Sequence, residues 1–356
     1  MKSTLLKIAT ILTFALAIMS CSKDDESSAP APLQAPVSDV FAAGFENSST
    51  IQYFFYKNNT RSSMSAAADE FVAIAGILVD GNEVYVTGKV ITAPFPADNR
   101  SQPCYWKNNV KVNLPLPPTS SNYVGANEIA ILNGDVYVLG LDPSFPQNFI
   151  LWKNGVRSSY ASVPAGSSLK GKSLCVFGND VYVAGSIDVG NDGSNIRATY
   201  WKNGIATTVG TSKSFCNDIK VDQTGVHIVY VDYTGLDNIT AIKYWKDGAN
   251  TTISTLRPAV GKMLVKGTDV YITGAEREVG SSIFKACYWK NGVKTDLNEN
   301  TNLIANNIKI GVNGDIFVSS RRANNGDAPL TYWQNNIKKT IGNSNDNFSC
   351  FDINNK

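Results

Sequence analysis

Valine, isoleucine, tyrosine and tryptophan alternate with polar residues in short runs along most of the chain, and no stretch keeps a helical period. Alternation of this kind reads as half-buried β-strands. One unit shows the grammar. Runs at 173–177 and 181–185 flank Gly178-Asn179, and runs at 197–202 and 205–209 flank Asn203-Gly204. Asn-Gly between two apolar runs predicts a two-residue type I′ hairpin, because both residues tolerate positive φ and the turn's twist matches that of the strands. The unit therefore predicts four antiparallel strands.

The unit repeats. A motif of the form Asp-Val-Tyr-Val-x-Gly starts at Asp39, Glu83, Asp135, Asp180, Asp269 and Asp315, with a degenerate copy at Gly225. A second motif, Tyr-Trp-Lys-Asn-Gly, follows each copy of the first. Its aromatic pairs are Phe55-Tyr56, Tyr105-Trp106, Leu151-Trp152, Tyr200-Trp201, Tyr244-Trp245, Tyr288-Trp289 and Tyr332-Trp333, and these hold all 6 tryptophans of the protein. Seven units of four strands, each about 45 residues long, predict an all-β, seven-bladed β-propeller with four-stranded blades. The first copy starts at Asp39 without a first strand. A surplus run at 348–353 follows the last hairpin and matches the start of the fifth unit, with Cys350 aligned to Cys216 and Asp352 to Asp218. The expectation is a ring closed by the C-terminal strand completing the first blade. One domain, 39–356, accounts for the repeats.

The N-terminus has another character. Lys2 and Lys7 precede an apolar run at 8–19, too short to span a bilayer, which ends in Ile18-Met19-Ser20-Cys21. Residues 1–20 read as a lipoprotein signal peptide and Cys21 as the lipidated residue. A Pro- and Ser-rich tether fills the rest of 21–38, with prolines at 30, 32 and 36. The lipobox followed by Ser22-Lys23-Asp24-Asp25-Glu26 resembles the export signal of Bacteroidota surface lipoproteins. The resemblance implies a lipid anchor in the outer membrane, with the propeller facing the cell exterior. Without 1–20 the chain keeps 30 basic and 30 acidic residues, since only Lys2 and Lys7 are lost. A neutral chain argues against a nucleic-acid partner. A monomer is expected.

The chain has 1 histidine, His227, and it occupies the tyrosine slot of the fifth repeat. That placement predicts packing and removes Ser-His-Asp and Cys-His mechanisms. The tryptophans, one per repeat, predict packing between blades. The motif aspartates read as turn residues bonded to nearby amides, and the lysines after the tryptophans as exposed strand ends. Cys104 and Cys287 share one repeat slot, and no Cys-x-x-Cys occurs. Free thiols are expected, not a disulfide framework or a zinc site. No cofactor is required. Asp188, Asp192 and Asn195, in an Asp-Gly-rich stretch, form a weak calcium candidate.

Topology separates two faces. The first-to-second and third-to-fourth turns are short and lie on one face. The second-to-third loops and the links between blades are long, vary from unit to unit, and lie on the other. Binding residues sit preferentially in such loops. The expected ligand contacts are Arg100, Tyr233, Glu276, Arg277, Arg321 and Arg322, in a mixture that suits a glycan or a protein. The reading favours a binding or scaffold propeller over an enzyme. The alternative is a glycan-active hydrolase or lyase using two loop carboxylates from Asp98, Asp142, Asp188, Asp192, Asp232, Asp237, Glu276 and Glu278.

Overall fold

The computed structural model describes residues 37–46, 51–92, 101–116, 124–143, 147–164, 166–211, 213–234, 238–297, 302–323 and 329–354. They form seven four-stranded antiparallel sheets. The innermost strands of blades two to seven are Glu70–Asp80, Gly125–Leu132, Ser168–Phe177, Ser214–Asp222, Ala259–Lys266 and Leu303–Ile310. In blade one that place belongs to Asp346–Ile353, which pairs with Val40–Glu46. The last strand of the chain therefore closes the ring, as the surplus run predicted.

The predicted register of that strand is corrected by two residues. Cys350 lies opposite Ala43, whereas Cys216 lies opposite Tyr230. Ala43 corresponds in the repeat to Val229, which faces Asp218. Cys350 is thus the counterpart of Asp218, and Asp352 the counterpart of Lys220. Every innermost strand shifts register near the same point, at Asn217 in blade five and Ser349 in blade one, for example, where a bulge adds a residue. The two strands therefore align without a gap, Phe348 with Cys216, and the cysteines match in letter but not in place.

The two motifs hold each other. In the third-to-fourth turns, Asn58, Asn108, Asn154, Asn203, Asn291 and Asn335 adopt φ of 47–53°, the left-handed region that asparagine tolerates best after glycine. In blade four, Asn203 accepts a bond from the Val181 amide at 2.9 Å and donates to Asp180 at 2.7 Å. The same pair of bonds recurs in five other blades. Lys202 pairs with Asp180 at 2.8 Å and lies over the Tyr182 ring. The motif acid therefore serves the neighbouring hairpin, with Asp315 of blade seven also accepting Asn313 Nδ2 of its own turn at 2.9 Å, and the lysine is an ion-pair partner as well as a strand end.

Each of the seven blade interfaces holds one main apolar cluster. Six are built around a tryptophan of the second motif, and the seventh has Tyr56 in that place. Trp106 and Trp152 also donate to the backbone of the link preceding their own blade, at Ser65 (2.7 Å) and Pro115 (2.9 Å). Rings of this size bury about 150–250 Å² each. At ~25 cal/mol per Å² that is roughly 4–6 kcal/mol before entropy. His227 is buried as its repeat slot predicted, with Tyr244 Oη at 2.6 Å and Thr224 Oγ1 at 2.9 Å on its two ring nitrogens. The described cysteines are free thiols.

Candidate functional site

The innermost strands of blades two to seven line a cavity of about 350 Å³. A strand buried on both faces should be apolar, but these carry charges on consecutive ring positions. Asp218 accepts bonds from Ser173 Oγ at 2.6 Å, from Lys220 Nζ at 2.9–3.0 Å and from the Met263 amide at 2.8 Å. Burial pushes its pKa up, but the charges of Lys220 and Lys262 and these hydrogen bonds outweigh burial and hold it at about 2. Lys262 in blade six also reaches Glu128 in blade three at 2.5 Å. Burial lowers the pKa of Lys262, and Glu128 with Asp218 more than offsets this, so it stays a cation. Asp352 takes Lys309 at 2.7 Å and the Val79 amide of blade two at 2.8 Å. Inner-strand amides have no further strand to pair with, and Asp218 supplies an acceptor to Met263 and Asp352 to Val79 and Ile353. These residues escaped the sequence reading. The signal was a charged residue, Lys220, Lys309 or Asp352, at a first-strand position that the other blades fill with Leu78, Ala130, Cys175 and Leu264.

The expected ligand contacts fall in different surroundings. Cys21 and Arg100 lie outside the described residues. Tyr233 is buried and stacks on Phe215, with ring centroids 4.9 Å apart. Glu276 is buried between blades five and six, bonded to Ser254 Oγ and paired with Lys294 at 2.8 Å. These two stand inside the wall and not on an open rim as expected: the second strands of blades five and six run on through Tyr233 and Glu276, where Phe215 of the same blade and Ser254 of the preceding blade cover them. Arg277 lies over the Phe284 ring at 4.7 Å. Arg321 and Arg322 are exposed and line a cleft of about 210 Å³. The structure brings together Arg321 and Arg322, and separately Glu276 and Arg277, but it forms no single patch from all of them.

The oxygens of the calcium candidate are engaged in the loop itself. Asp188 accepts the Gly193 amide with both oxygens at 3.2 Å and lies 3.5 Å from Lys170. Asp192 accepts the Ser194 amide, and Asn195 accepts from Arg197 Nε. Among the described residues, no three His, Cys, Asp or Glu side chains gather as a metal site would require. Of the loop carboxylates, Glu278 pairs with Lys285 at 2.6 Å, Asp142 is buried, and Asp98 and Asp237 lie outside the described residues. Asp232 differs. Burial raises its pKa, opposed only in part by Lys243 at 4.0 Å.

Seven buried polar atoms have no hydrogen-bond partner among the described residues: Asn127 Oδ1, Ser168 Oγ, Asn217 Oδ1, Asp232 Oδ1, Tyr233 Oη, Arg277 Nε and Asp346 Oδ1. First strands run away from the long-loop face and second strands run back to it. Ser168 and Asp346 begin first strands, Asp232 and Tyr233 end a second strand, and Arg277 follows one. Asn127 and Asn217 lie in the first halves of their strands. All seven therefore belong to the half of the ring that faces the long loops.

No family model matches the chain, and no curated protein does. Solved propellers do match. The β-propeller domain of the Trilobed protease from Pyrococcus furiosus aligns with a TM-score of 0.53 at 10% identity, over 86% of this chain and 96% of that one. Oligogalacturonate lyase in complex with manganese aligns at 0.52 and 9% identity, over 86% and 85% of the two chains. Synechocystis apocarotenoid oxygenase aligns at 0.52 and 7%, over 90% and 92%. At such identities the likeness concerns the fold alone.

Proposed function

We propose that this chain is a lipoprotein, anchored through Cys21 to the outer membrane and facing the cell exterior, whose propeller binds a glycan on its long-loop face. The observation that supports this reading most is the one-sided placement of the seven unpartnered polar atoms. A buried polar group without a partner is costly, about 1–3 kcal/mol each, and such groups in native proteins mark ordered water, ions or ligands. The repeated positions satisfy their own polar groups in blade after blade. The long-loop half leaves hydroxyl, amide, guanidinium and carboxylate atoms over, which is the chemistry a polyhydroxylated ligand pairs with when it displaces water. The test is a glycan-array screen of the full chain in detergent. Retention of a defined set of glycans supports the reading, and an array without signal opposes it.

A second reading, glycan cleavage by a hydrolase or lyase, is favoured by Asp232. Its raised pKa and free oxygen are properties of a general acid. Proteins of this architecture include the oligogalacturonate lyase named above. Release of shorter products from an array-positive glycan, abolished in Asp232→Asn with binding retained, would favour cleavage over simple binding.

A further inference from the structure

Blade seven departs from the repeat. Its second strand, Ile316–Arg322, and third, Leu330–Gln334, pair at 3 positions, Phe317↔Gln334, Val318↔Trp333 and Ser319↔Tyr332. The same strands of blade six pair at 6, from Tyr271↔Lys290 to Glu276↔Lys285. Beyond Ser319 the strands part, with a bond of 3.0 Å from Ser320 Oγ to the Thr331 carbonyl as a further link. Pro329, at the head of the third strand, has no amide hydrogen to continue the ladder. The gap is the 210 Å³ cleft, and Arg321, Arg322, Thr331, Asn347 and Phe348 are among its walls.

The cations here are unlike those of the repeat. The repeated lysines of blades one to four and six pair with motif acids. The side chains of Arg321 and Arg322 make no hydrogen bond or ion pair with any described residue. Successive strand residues point to opposite faces. Arg321, in step with Phe317, lies toward blade one, and Arg322, in step with Val318, toward blade six. The cleft is walled by blade seven and, through Asn347 and Phe348, by blade one, so Arg321 is the guanidinium on its blade-one side, and Lys338 is a second cation of the wall. The walls desolvate Arg321 in part and lower its pKa from the ordinary value, while the residue stays exposed and open to an anion.

We propose that this cleft is a subsite for the carboxylate of an acidic sugar. A guanidinium presents parallel donors that fit the two oxygens of a carboxylate. Thr331 and Asn347 offer hydrogen bonds for ring hydroxyls, and Phe348 offers an apolar wall. The volume is below the ~300–1,000 Å³ of common small-molecule sites, so it admits one sugar ring of a longer glycan. The proposal rests on the glycan-binding reading above and names the class of residue bound.

The test uses the full chain and ligand-observed NMR titrations with glucuronate, glucose and glucose 6-sulfate. Glucuronate is expected to bind roughly tenfold or more tightly than glucose, the worth of one charge-assisted contact. Arg321→Ala should weaken glucuronate by a similar factor without changing the melting temperature, Arg321→Lys should recover only part of the loss, and Arg322→Ala, on the blade-six side, should bind as the wild type does. Equal binding of glucose and glucuronate, no glucuronate binding, or wild-type affinity in Arg321→Ala overturns the subsite. Preference for glucose 6-sulfate overturns the carboxylate assignment. If the array finds only neutral glycans, and Arg321→Ala binds them unchanged, the subsite fails while the glycan-binding reading stands.

Discussion

Asp218→Asn removes one negative charge from the channel while keeping the size of the side chain. In the native protein that carboxylate holds Ser173, Lys220 and the Met263 amide, with Lys262 at 3.9 Å. Its pKa falls from an ordinary 3.8 to about 2. A difference of about 1.8 units at ~1.36 kcal/mol per unit is about 2 kcal/mol of stability at neutral pH. Loss of one partner of a fully buried ion pair costs ~3–5 kcal/mol. Lys220 and Lys262 keep about a third of their surface open to the channel, which places the expected loss near the lower value, roughly 2–3 kcal/mol. The pH dependence fixes the mechanism. A depressed acid contributes fully above its unfolded pKa and loses that contribution as pH falls through the folded one. The gap between wild type and variant should therefore be full at pH 7 and shrink between about pH 4 and pH 2. Urea denaturation of the full chain at a series of pH values measures it. A gap that stays constant down to pH 2, or no destabilisation at pH 7, refutes the assignment of Asp218 as the charge that ties blades four, five and six.

Deleting 346–356 removes the strand that closes blade one together with buried Phe351 and Ile353. The loss should rival the whole ~5–15 kcal/mol of a typical domain, and a cooperative melt at the wild-type temperature would contradict closure by this strand. Asn203→Ala should cost about 1–2 kcal/mol, because it loses the bonds to Val181 and Asp180 and strains a turn at positive φ. Asn203→Gly, free of that strain, should cost less in the same denaturation assay. Cys21→Ala should move the protein out of the membrane fraction or leave it unprocessed, and unchanged partition with normal acyl labelling would remove the anchor from the account.

The blades were legible because the positions that build them are written seven times. An Asn-Gly turn, an aromatic pair and a Val-Tyr-Val run each do the same job in every unit, so their packing and their count follow from the pattern. Two classes of feature were hidden. The first depends on register. The alignment of Cys350 with Cys216 matched letters that sit two places apart in the repeat, and only the ladder opposite Ala43 and Tyr230 shows the shift. The second depends on partners from distant blades. Glu128 and Lys262 are 134 residues apart and meet across the axis, which no local reading of either strand reveals. Tyr233 and Glu276 were read as loop residues, but the second strands run on through them to Thr234 and Glu276, and the length of a strand beyond its motif is not written in the repeat.

Binding measured face by face tests the central claim most directly. A glycan found on the array would be titrated against the full chain, Tyr233→Phe and Lys202→Ala. Tyr233→Phe removes a buried hydroxyl without a partner from the long-loop half, and Lys202→Ala removes a surface ion pair beside the Asn203-Gly204 turn of the opposite face. The account predicts affinity several-fold weaker in Tyr233→Phe, about 1 kcal/mol for one hydrogen bond, and unchanged in Lys202→Ala. Full affinity in Tyr233→Phe with loss in Lys202→Ala would place the ligand on the wrong side of the ring and contradict it.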